Sequence, residues 1–407
     1  MNILEDDLAA IAEASEVMSD TLDFDSVVNT ANWQSPGEYY QNMPALTRAV
    51  IDQVVEDDLV LKRELREAVY PEFLRTGEIK CWERANPKYI NQLQQKRLYP
   101  GKVVCADATV APYNSRSLIG AQIGVSRVGY QGGTEQFVTN LLQWGIALPR
   151  NITARDVVNA LRSRGAELKE KLSNVFIYTI SLYMERRVLL DTSPNTFKLI
   201  QGTAFPYEML VGSGRHHTMQ TCLNLLGDLI DDGNYACIVS NDSHRDLLTF
   251  GIGLEAGEYI VTAEGTDVLE VFLKGDGTRG GAHYTDTPIE KYRDEFGNKL
   301  SQKQVFSRFQ KKYGPKVVQG ILRAHKLSAP YIFYCNAEKL HEAVHLLLAD
   351  AEHTGARGFP LLVDLADQYC SGAFRAGEYT NFMNAEFARA SGGSVTYQSE
   401  RTTRDKK

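Results

Sequence analysis

The stretch that decides the fold is GKVVCADATVAPYNSRSLIGAQIGVSRVGY, residues 101–130. It opens with a short β-rich run at 101–110, and a second strand candidate follows at 117–130. Two strands this close in the chain predict an antiparallel hairpin.

After this hairpin, helical and strand patterns alternate along the chain. Residues 153–190 have the apolar spacing of a helix, and further strand candidates are FKLIQGTAF, YACIVSND, EYIVTAEGTDVLEVFL and PYIFYCN. Two strands, a helix and then alternating strands and helices predict an α/β fold with a mixed sheet flanked by helices.

Composition and charge divide the chain into five segments. Residues 1–60 have a net charge of −12, whereas the remaining chain has +5. The predicted segments are an acidic helical N-terminal region (1–95), the first part of the core (96–265), an insertion with a basic and aromatic stretch (266–325), the C-terminal part of the core (326–392) and a disordered tail (393–407).

Several classes of protein are disfavoured by the composition. No apolar run approaches the roughly 20 residues that a membrane span needs, and the acidic N-terminus lacks the basic start of a signal peptide. None of the six cysteines forms a CxxC pair, so we interpret them as small buried residues. These features predict a cytoplasmic protein without a membrane partner.

Asp107 is the first residue that indicates chemistry. It lies at the end of an apolar run, where a carboxyl group is costly without a cation or hydrogen bonds. Taken alone, an aspartate that caps a turn explains this position better.

Four segments, in the same order along the chain, resemble the motifs of NurA-type nucleases. The first contains Asp107, Thr109, Pro112 and Arg116, with Ala108 where the family has glycine. The other three are Met184-Glu185 followed by LIQGTAFPYEML, then ACIVSNDSHRDL, and finally GFPLLVDLADQYC.

The resemblance implies an RNase H-like core whose acidic centre contains Asp107, Glu185 and Asp367. In such a centre, carboxylates hold Mn²⁺ or Mg²⁺, which activate water and stabilise the leaving oxygen of a phosphodiester. Asp107 would bridge two cations, and Glu185 and Asp367 would hold one each.

The sequence departs from the family pattern at two positions. Gln201 stands where the family has an aspartate ligand, and Asp367 stands where it has a closing histidine. An amide binds a divalent cation less strongly than a carboxylate. The negative charge that is missing at Gln201 would be supplied by Asp367 instead. Asp191 and Glu208 are further candidates for the missing ligand. The alternative is a weakened or inactive nuclease that serves as an assembly subunit.

The resemblance also implies partners. NurA-like proteins are homodimers that act on DNA ends or single strands with a hexameric HerA-type translocase ATPase, in DNA end processing or in defence against phage. The acidic segment 1–60 is a candidate for binding a partner.

Six basic residues are candidates for nucleic-acid contacts. Arg116 belongs to the first motif, and the others alternate with aromatic residues in KQVFSRFQKKYGPK, a pattern that suits a nucleic-acid strand. These others are Lys303, Arg308, Lys311, Lys312 and Lys316. An ordinary exposed amphipathic helix explains the same stretch equally well.

A competing motif is His341-Glu342-Ala343-Val344-His345, which fits the HExxH pattern of zinc metalloproteases. On a helix, both histidines lie on one face and can bind Zn²⁺. No third ligand has the usual spacing, because Leu348 and Ala351 stand where an extended motif needs glycine and histidine. We therefore keep the protease as the less favoured alternative.

Overall fold

The structure is a computed structural model. It describes residues 54–392 except 115–117, 133, 145–152, 154, 157, 159–173, 212–217, 240–244, 275–283, 285 and 295, together with positions 37, 48 and 51. The chain forms two compact units, Met1–Leu61 and Lys62–Lys407. In the first unit, residues 54–61 are helical.

The strands and helices of the second unit are numbered in chain order. The strands are β1 Cys81–Arg84, β2 Val103–Asn114, β3 Leu118–Gly129, β4 Glu135–Trp144, β5 Phe197–Gln201, β6 Tyr235–Val239, β7 Glu258–Glu264, β8 Ile289–Arg293, β9 Lys299–Leu300, β10 Val317–Arg323 and β11 Tyr331–Asn336. The helices are α1 Tyr70–Thr76, α2 Pro87–Leu93, α3 Asn174–Leu190, α4 Tyr207–Val211, α5 Met219–Asp232, α6 Arg245–Gly251, α7 Gly265–Lys274, α8 Gln302–Tyr313, α9 Leu340–Ala351, α10 Leu361–Ala373 and α11 Ala376–Ser391.

A nine-stranded mixed sheet with the order β1-β7-β10-β11-β6-β5-β2-β3-β4 forms the centre of this unit. β2, β3 and β4 pair antiparallel as a meander, and β5 and β6 then continue the sheet parallel to β2. Three antiparallel strands followed by two parallel ones make an RNase H-like arrangement, so the predicted fold class is confirmed.

Two hydrophobic cores cover the two faces of the sheet, and β2 contributes to both because successive side chains of a strand point to opposite faces. Val104 and Ala106 pack in the core that also contains Leu189 of α3. Val103 and Cys105 pack in the core that contains Ala366 of α10. Helices α3 and α10 therefore lie on opposite faces of β2.

One edge of the sheet gathers the carboxyl ends of five strands. β1, β10, β6, β5 and β2 run in the same direction, because each pair is related by parallel pairing or by one antiparallel strand between them. We call this the carboxyl edge. β1 ends there at Arg84, β10 at Arg323, β6 at Val239 and β5 at Gln201.

Several elements match their sequence-based predictions. The hairpin of β2 and β3, helix α3 through Leu190, strand β11 and helix α9 are all present. Residues 343–351 of helix α9 are all buried in the core. No helix among the described residues is long and apolar enough to cross a bilayer.

Other elements differ from the predictions. β1 joins the sheet although residues 1–95 were expected to be helical, and β10 is a central strand within the expected insertion at 266–325. The second half of EYIVTAEGTDVLEVFL is helix α7 rather than a strand, because Val268, Leu269 and Phe272 form one apolar helical face. The tail 393–407 lies outside the described residues.

Candidate active site

Asp107 lies on β2 where the pairing with the neighbouring strand β5 ends. The ladder between β2 and β5 ends with Ala106 opposite Ile200, so Asp107 is the first residue of β2 past this parallel pairing. On its other side it is opposite Ser126 of β3. Burial and the negative charge of Asp367 raise the pKa of Asp107 to about 6.

Asp367 reaches the same place from helix α10. This helix packs on β2 and β3 through Ala366 and Cys370, whose thiol donates to the Gly124 carbonyl over 3.4 Å. Asp107 shares the face of Cys105 in the strand alternation, which is the face that α10 covers. The structure therefore brings Asp107 and Asp367 together on one face of the sheet.

Glu185 approaches from the other face, on helix α3. Its side chain is 5% exposed, and burial together with the charge of Asp107 raises its pKa to about 8, although Arg186 opposes the shift. The Arg186 guanidinium lies 3.6 Å from Glu185 Oε1 and also donates to the Thr203 carbonyl, just past the end of β5. This bond fixes that part of α3 at the carboxyl edge.

The carboxyl of Glu185 has an unusual environment. Its Oε1 is fully buried and accepts no hydrogen bond from the described residues. A buried carboxyl oxygen without a donor is costly, because it loses its hydration and gains no replacement. The Arg186 guanidinium at 3.6 Å offsets part of this cost but leaves the pKa of Glu185 raised, and a metal cation against this oxygen would offset more of it.

The donor set fits a hard divalent cation in chemistry but is not a preformed cage. All three acids offer oxygen ligands, which Mg²⁺ and Mn²⁺ prefer. Within the part of the chain that the structure describes, no three Asp, Glu, His or Cys side chains are close enough together to hold a metal ion. The charge of Asp107 interacts with that of Asp367 and with that of Glu185, so Asp107 is the acid that the other two have in common.

The three weaker ligand candidates have different positions. Gln201 is the last residue of β5, in register beside Asp107 and half-buried. Asp191 is exposed and pairs with Arg187 over 3.0 Å, near the opposite end of β5. Glu208 lies in α4, and none of the contacts seen among the described residues joins its carboxyl to the three acids. Of these candidates, the structure brings only Gln201 to the site.

Five of the six predicted nucleic-acid contacts lie away from the three acids. Arg116 is outside the described residues. The other five lie on or just after α8, and Lys312 and Lys316 are both within reach of Asp231, at 3.9 and 2.5 Å. Asp231 lies near the end of α5, shortly before β6 begins, and thus at the sheet edge opposite Gln201.

The aromatic residues of α8 are part of the core. Phe306 is 0% exposed and Phe309 is 5% exposed, so neither ring is available to stack on a base. Lys303 and Arg308 lie 3.6 and 3.7 Å from acidic partners, Asp286 and Asp294. Exposed basic side chains beside buried aromatic rings are what the amphipathic-helix interpretation predicts, and contact of these basic residues with a nucleic acid stays a prediction.

The HExxH histidines are engaged in structural bonds. His345 is buried, its Nε2 accepts from the backbone N–H of Asn86 over 2.9 Å, and its Nδ1 lies 2.6 Å from the His341 carbonyl. Glu342 pairs with Arg97 over 2.8 Å. With both ring nitrogens of His345 occupied, the structure gives the protease interpretation no support.

Two supporting residues escaped the sequence analysis. Asp350 of α9 is fully buried, accepts from Tyr130 Oη over 2.5 Å and accepts from the backbone N–H of Leu362 over 3.0 Å. The second bond fixes the start of α10, the helix that carries Asp367. Asp350 lies on the helix before α10, and no local pattern connects it with Tyr130 or Leu362; the one signal in the sequence is an aspartate within an apolar helix.

Comparisons with known proteins were made for the whole chain. No family model and no curated protein sequence matches it. The NurA nuclease from Sulfolobus solfataricus is similar with a TM-score of 0.42 and 11% identity, over 88% of this chain and 99% of that chain.

Two further solved structures give similar results. A NurA structure bound to dAMP and manganese has a TM-score of 0.41 and 9% identity, over 84% of this chain and 95% of that chain. Human ENDOV has a TM-score of 0.28 and 13% identity, over 72% of this chain and 92% of that chain. The chain is thus similar in structure, at low identity, to the NurA-type nucleases that its sequence motifs resemble.

Proposed function

We propose that this chain is a divalent-metal-dependent nuclease that hydrolyses phosphodiester bonds of DNA, with Asp107, Glu185 and Asp367 as its catalytic carboxyl groups. The observation that carries this proposal is the environment of Glu185. Its buried oxygen lacks a hydrogen-bond donor, and its charge interacts with that of Asp107 at an edge where a neighbouring strand has ended.

Each acid has a distinct place in this proposal. Asp107 is the central ligand, because it is the one acid that interacts with both others. Asp367 and Glu185 complete the set from the two faces of the sheet. A bound Mn²⁺ or Mg²⁺ supplies Lewis-acid activation of water and stabilises the charge that develops on the phosphate.

The raised pKa values describe the protein without a cation. Clustered carboxyls repel one another, so proton uptake relieves their repulsion when no cation is present. A divalent cation competes with these protons, which is why its affinity is expected to increase with pH. Burial of Glu185 also keeps bulk water away from its Oε1.

The proposed substrate, assembly and biological setting rest on the resemblance of the sequence motifs to those of NurA-type nucleases. DNA ends or single strands are the proposed substrates, and the proposed assembly is a homodimer working with a hexameric HerA-type translocase ATPase. DNA end processing or defence against phage is the proposed setting, and the acidic segment 1–60 is the proposed docking element for the partner.

A second candidate is a catalytically weakened subunit that serves mainly in the assembly with the ATPase. Gln201 favours it, because a neutral amide stands in register beside Asp107. The absence of a preformed three-ligand group among the described residues favours it as well.

A cleavage assay separates these two functions. Purified protein, alone and with the ATPase, is incubated with end-labelled single- and double-stranded DNA in Mn²⁺, Mg²⁺ or EDTA. Cleavage is expected with the cations, none with EDTA, and a loss of about 100-fold or more in Asp107→Asn. The control is Glu290→Gln, which removes a surface carboxyl that is 70% exposed in the β8–β9 hairpin.

Two results decide against catalysis by these acids. Cleavage that persists in Asp107→Asn at the wild-type rate assigns the activity to another site or to a contaminant. Absence of cleavage by folded wild-type protein under every condition, with the ATPase complex still forming, assigns the chain to the assembly role.

A further inference from the structure

A cavity of about 290 Å³ opens at the carboxyl edge, on the side of β1 and β10. It is lined by Lys62, Arg84, Glu255, Ala256, Arg323 and Lys326. Four of these side chains are basic and one is acidic, so the lining has an excess of positive charge. We call Asp107, Glu185 and Asp367 the acid cluster. The cavity is separate from this cluster and takes no part in the proposed chemistry.

Arg323 carries an uncompensated charge at this cavity. Among the described residues its guanidinium donates to four backbone carbonyls and to no carboxylate, at 3.4 Å to Ile252, 3.0 Å to Leu254, 2.9 Å to Lys326 and 3.1 Å to Ser328. Burial lowers the pKa of Arg323. A half-buried cation held by carbonyls and without a carboxylate partner in the described chain is stabilised by any anion that enters beside it.

The remaining basic residues divide into paired and unpaired groups. Arg84 contacts Glu255 and also lies 3.0 Å from Glu258, which Arg66 binds at 2.6 Å. In contrast, Lys62 and Lys326 have no acidic partner among the described residues. The charges of Arg66 and Arg84 are balanced by those of Glu255 and Glu258. The charges of Arg323, Lys62 and Lys326 are not balanced in this way, so the cavity has a net positive charge.

The cavity and the acid cluster share one edge of the same sheet. Arg323 ends β10 and Gln201 ends β5, and both strands point to the carboxyl edge. Between β10 and β2 lie β11, β6 and β5, so the two strands are four inter-strand steps apart. At about 4.8 Å per step, this separation is about 19 Å.

We propose that this basic cavity is a second phosphate-binding site, which holds the backbone of a polynucleotide strand while the acid cluster acts on a bond about 19 Å away. The proposal rests on the proposed nuclease function. Phosphate is the ligand class because it is an anion that suits a guanidinium with flanking ammonium groups.

The proposal is tested by DNA binding in EDTA, which separates binding from cleavage. Fluorescence anisotropy is measured with labelled single strands of about 20 and about 4 nucleotides, for wild type, Lys326→Glu and Lys62→Glu. Lys96→Glu is the matched control, because Lys96 is exposed and lies at the opposite sheet edge, shortly before β2 begins. Circular dichroism verifies that each variant is folded.

For the long strand, each cavity variant is expected to weaken binding about threefold to tenfold and to make the salt dependence shallower by about 0.7 per lost phosphate contact. The short strand is also expected to bind the cavity variants more weakly, because its phosphates can reach the cavity, whereas binding by the control is expected to stay unchanged. Equal binding of the long strand by wild type and both cavity variants overturns the proposal.

A second experiment tests whether the cavity binds the phosphates of a polynucleotide strand or free inorganic phosphate. Inorganic phosphate is titrated into wild type and Lys326→Glu by calorimetry. Micromolar binding that the variant loses, with unchanged binding of the long strand, assigns the cavity to free phosphate and overturns the proposal. Failure of the nuclease function has a different signature, which is cleavage that survives Asp107→Asn while the anisotropy results stand.

Discussion

Asp107 of β2 and Asp367 of α10 lie on one face of the sheet, and burial together with the charge of Asp367 raises the pKa of Asp107 to about 6. Two carboxyls that repel each other at neutral pH are an arrangement that folding alone does not favour. Glu185, with a pKa of about 8, adds a third acid from the opposite face.

The first prediction concerns pH and stability. Both Asp107 and Glu185 have folded-state pKa values above their ordinary values, so their favourable contribution is complete below about pH 4 and is lost as the pH rises through 6 and 8. Without cations, the melting temperature is expected to fall across this range. Mn²⁺ is expected to raise it more at pH 8 than at pH 5.5. Scanning fluorimetry measures the melting temperature under each condition. An equal increase with Mn²⁺ at both pH values would contradict the coupling between cation binding and deprotonation of these acids.

The second prediction concerns Glu185→Gln. This change removes a buried carboxyl whose Oε1 has no donor, so at pH 8.5 without cations it is expected to increase the free energy of unfolding by about 1 kcal/mol. The same change is expected to abolish cleavage. Urea denaturation with and without Mn²⁺ tests both effects. A variant that is less stable than wild type under cation-free conditions shows that the carboxyl has a structural role instead.

The third prediction concerns Gln201→Asp. Because Gln201 is in register beside Asp107, the new carboxylate adds a charged ligand to the same face. We expect Mn²⁺ to bind about tenfold more tightly, which calorimetry measures as a lower Kd. Gln201→Glu, with a longer side chain, serves as the comparison. Unchanged or weaker Mn²⁺ binding by Gln201→Asp means that the cation does not reach the end of β5.

The fourth prediction concerns His345. Because its two ring nitrogens bond with the Asn86 N–H and the His341 carbonyl in the core, His345→Ala is expected to lower the free energy of unfolding by about 2–3 kcal/mol. DNA cleavage per folded molecule and zinc content are expected to match wild type. Stoichiometric zinc in the wild type that disappears in the variant is the result that restores the protease interpretation.

The same histidine has a pH dependence of the opposite sign. Burial lowers the pKa of His345, so the stability that it contributes is present above about pH 6.5 and is lost as the pH falls through its folded-state value. Comparing wild type with His345→Gln between pH 5 and 7.5 isolates this contribution. A difference between the two that stays constant over the range contradicts it.

The sequence predicted those elements whose pattern is local. The hairpin of β2 and β3 follows from two neighbouring strand-like runs, and α9 follows from continuous helical spacing. β10 was missed because all but its last residue are buried and it lacks the alternation that marks a half-exposed strand. The position of β10 at the centre of the sheet depends on contacts with β7 and β11, which no local pattern encodes.

In the candidate site, too, features with a local sequence pattern were predicted and features that depend on distant contacts were not. The three acids were selected from motif order, and the structure shows that Asp107 interacts with both of the others. The aromatic residues of the basic stretch were expected to face a nucleic acid, but Phe306 and Phe309 are core residues, because composition does not tell which side of α8 is buried. The contact of Asp350 with Tyr130 joins distant segments and was invisible for the same reason.

The most direct test of the central claim is the position of a bound cation. Crystals grown with Mn²⁺ at pH 8 are measured at the manganese absorption edge, and anomalous difference density is calculated. We predict density in contact with Asp107, with Glu185 or Asp367 as a second ligand, and its loss in crystals of Asp107→Asn. Strong density elsewhere on the protein, with none beside Asp107, would contradict the account.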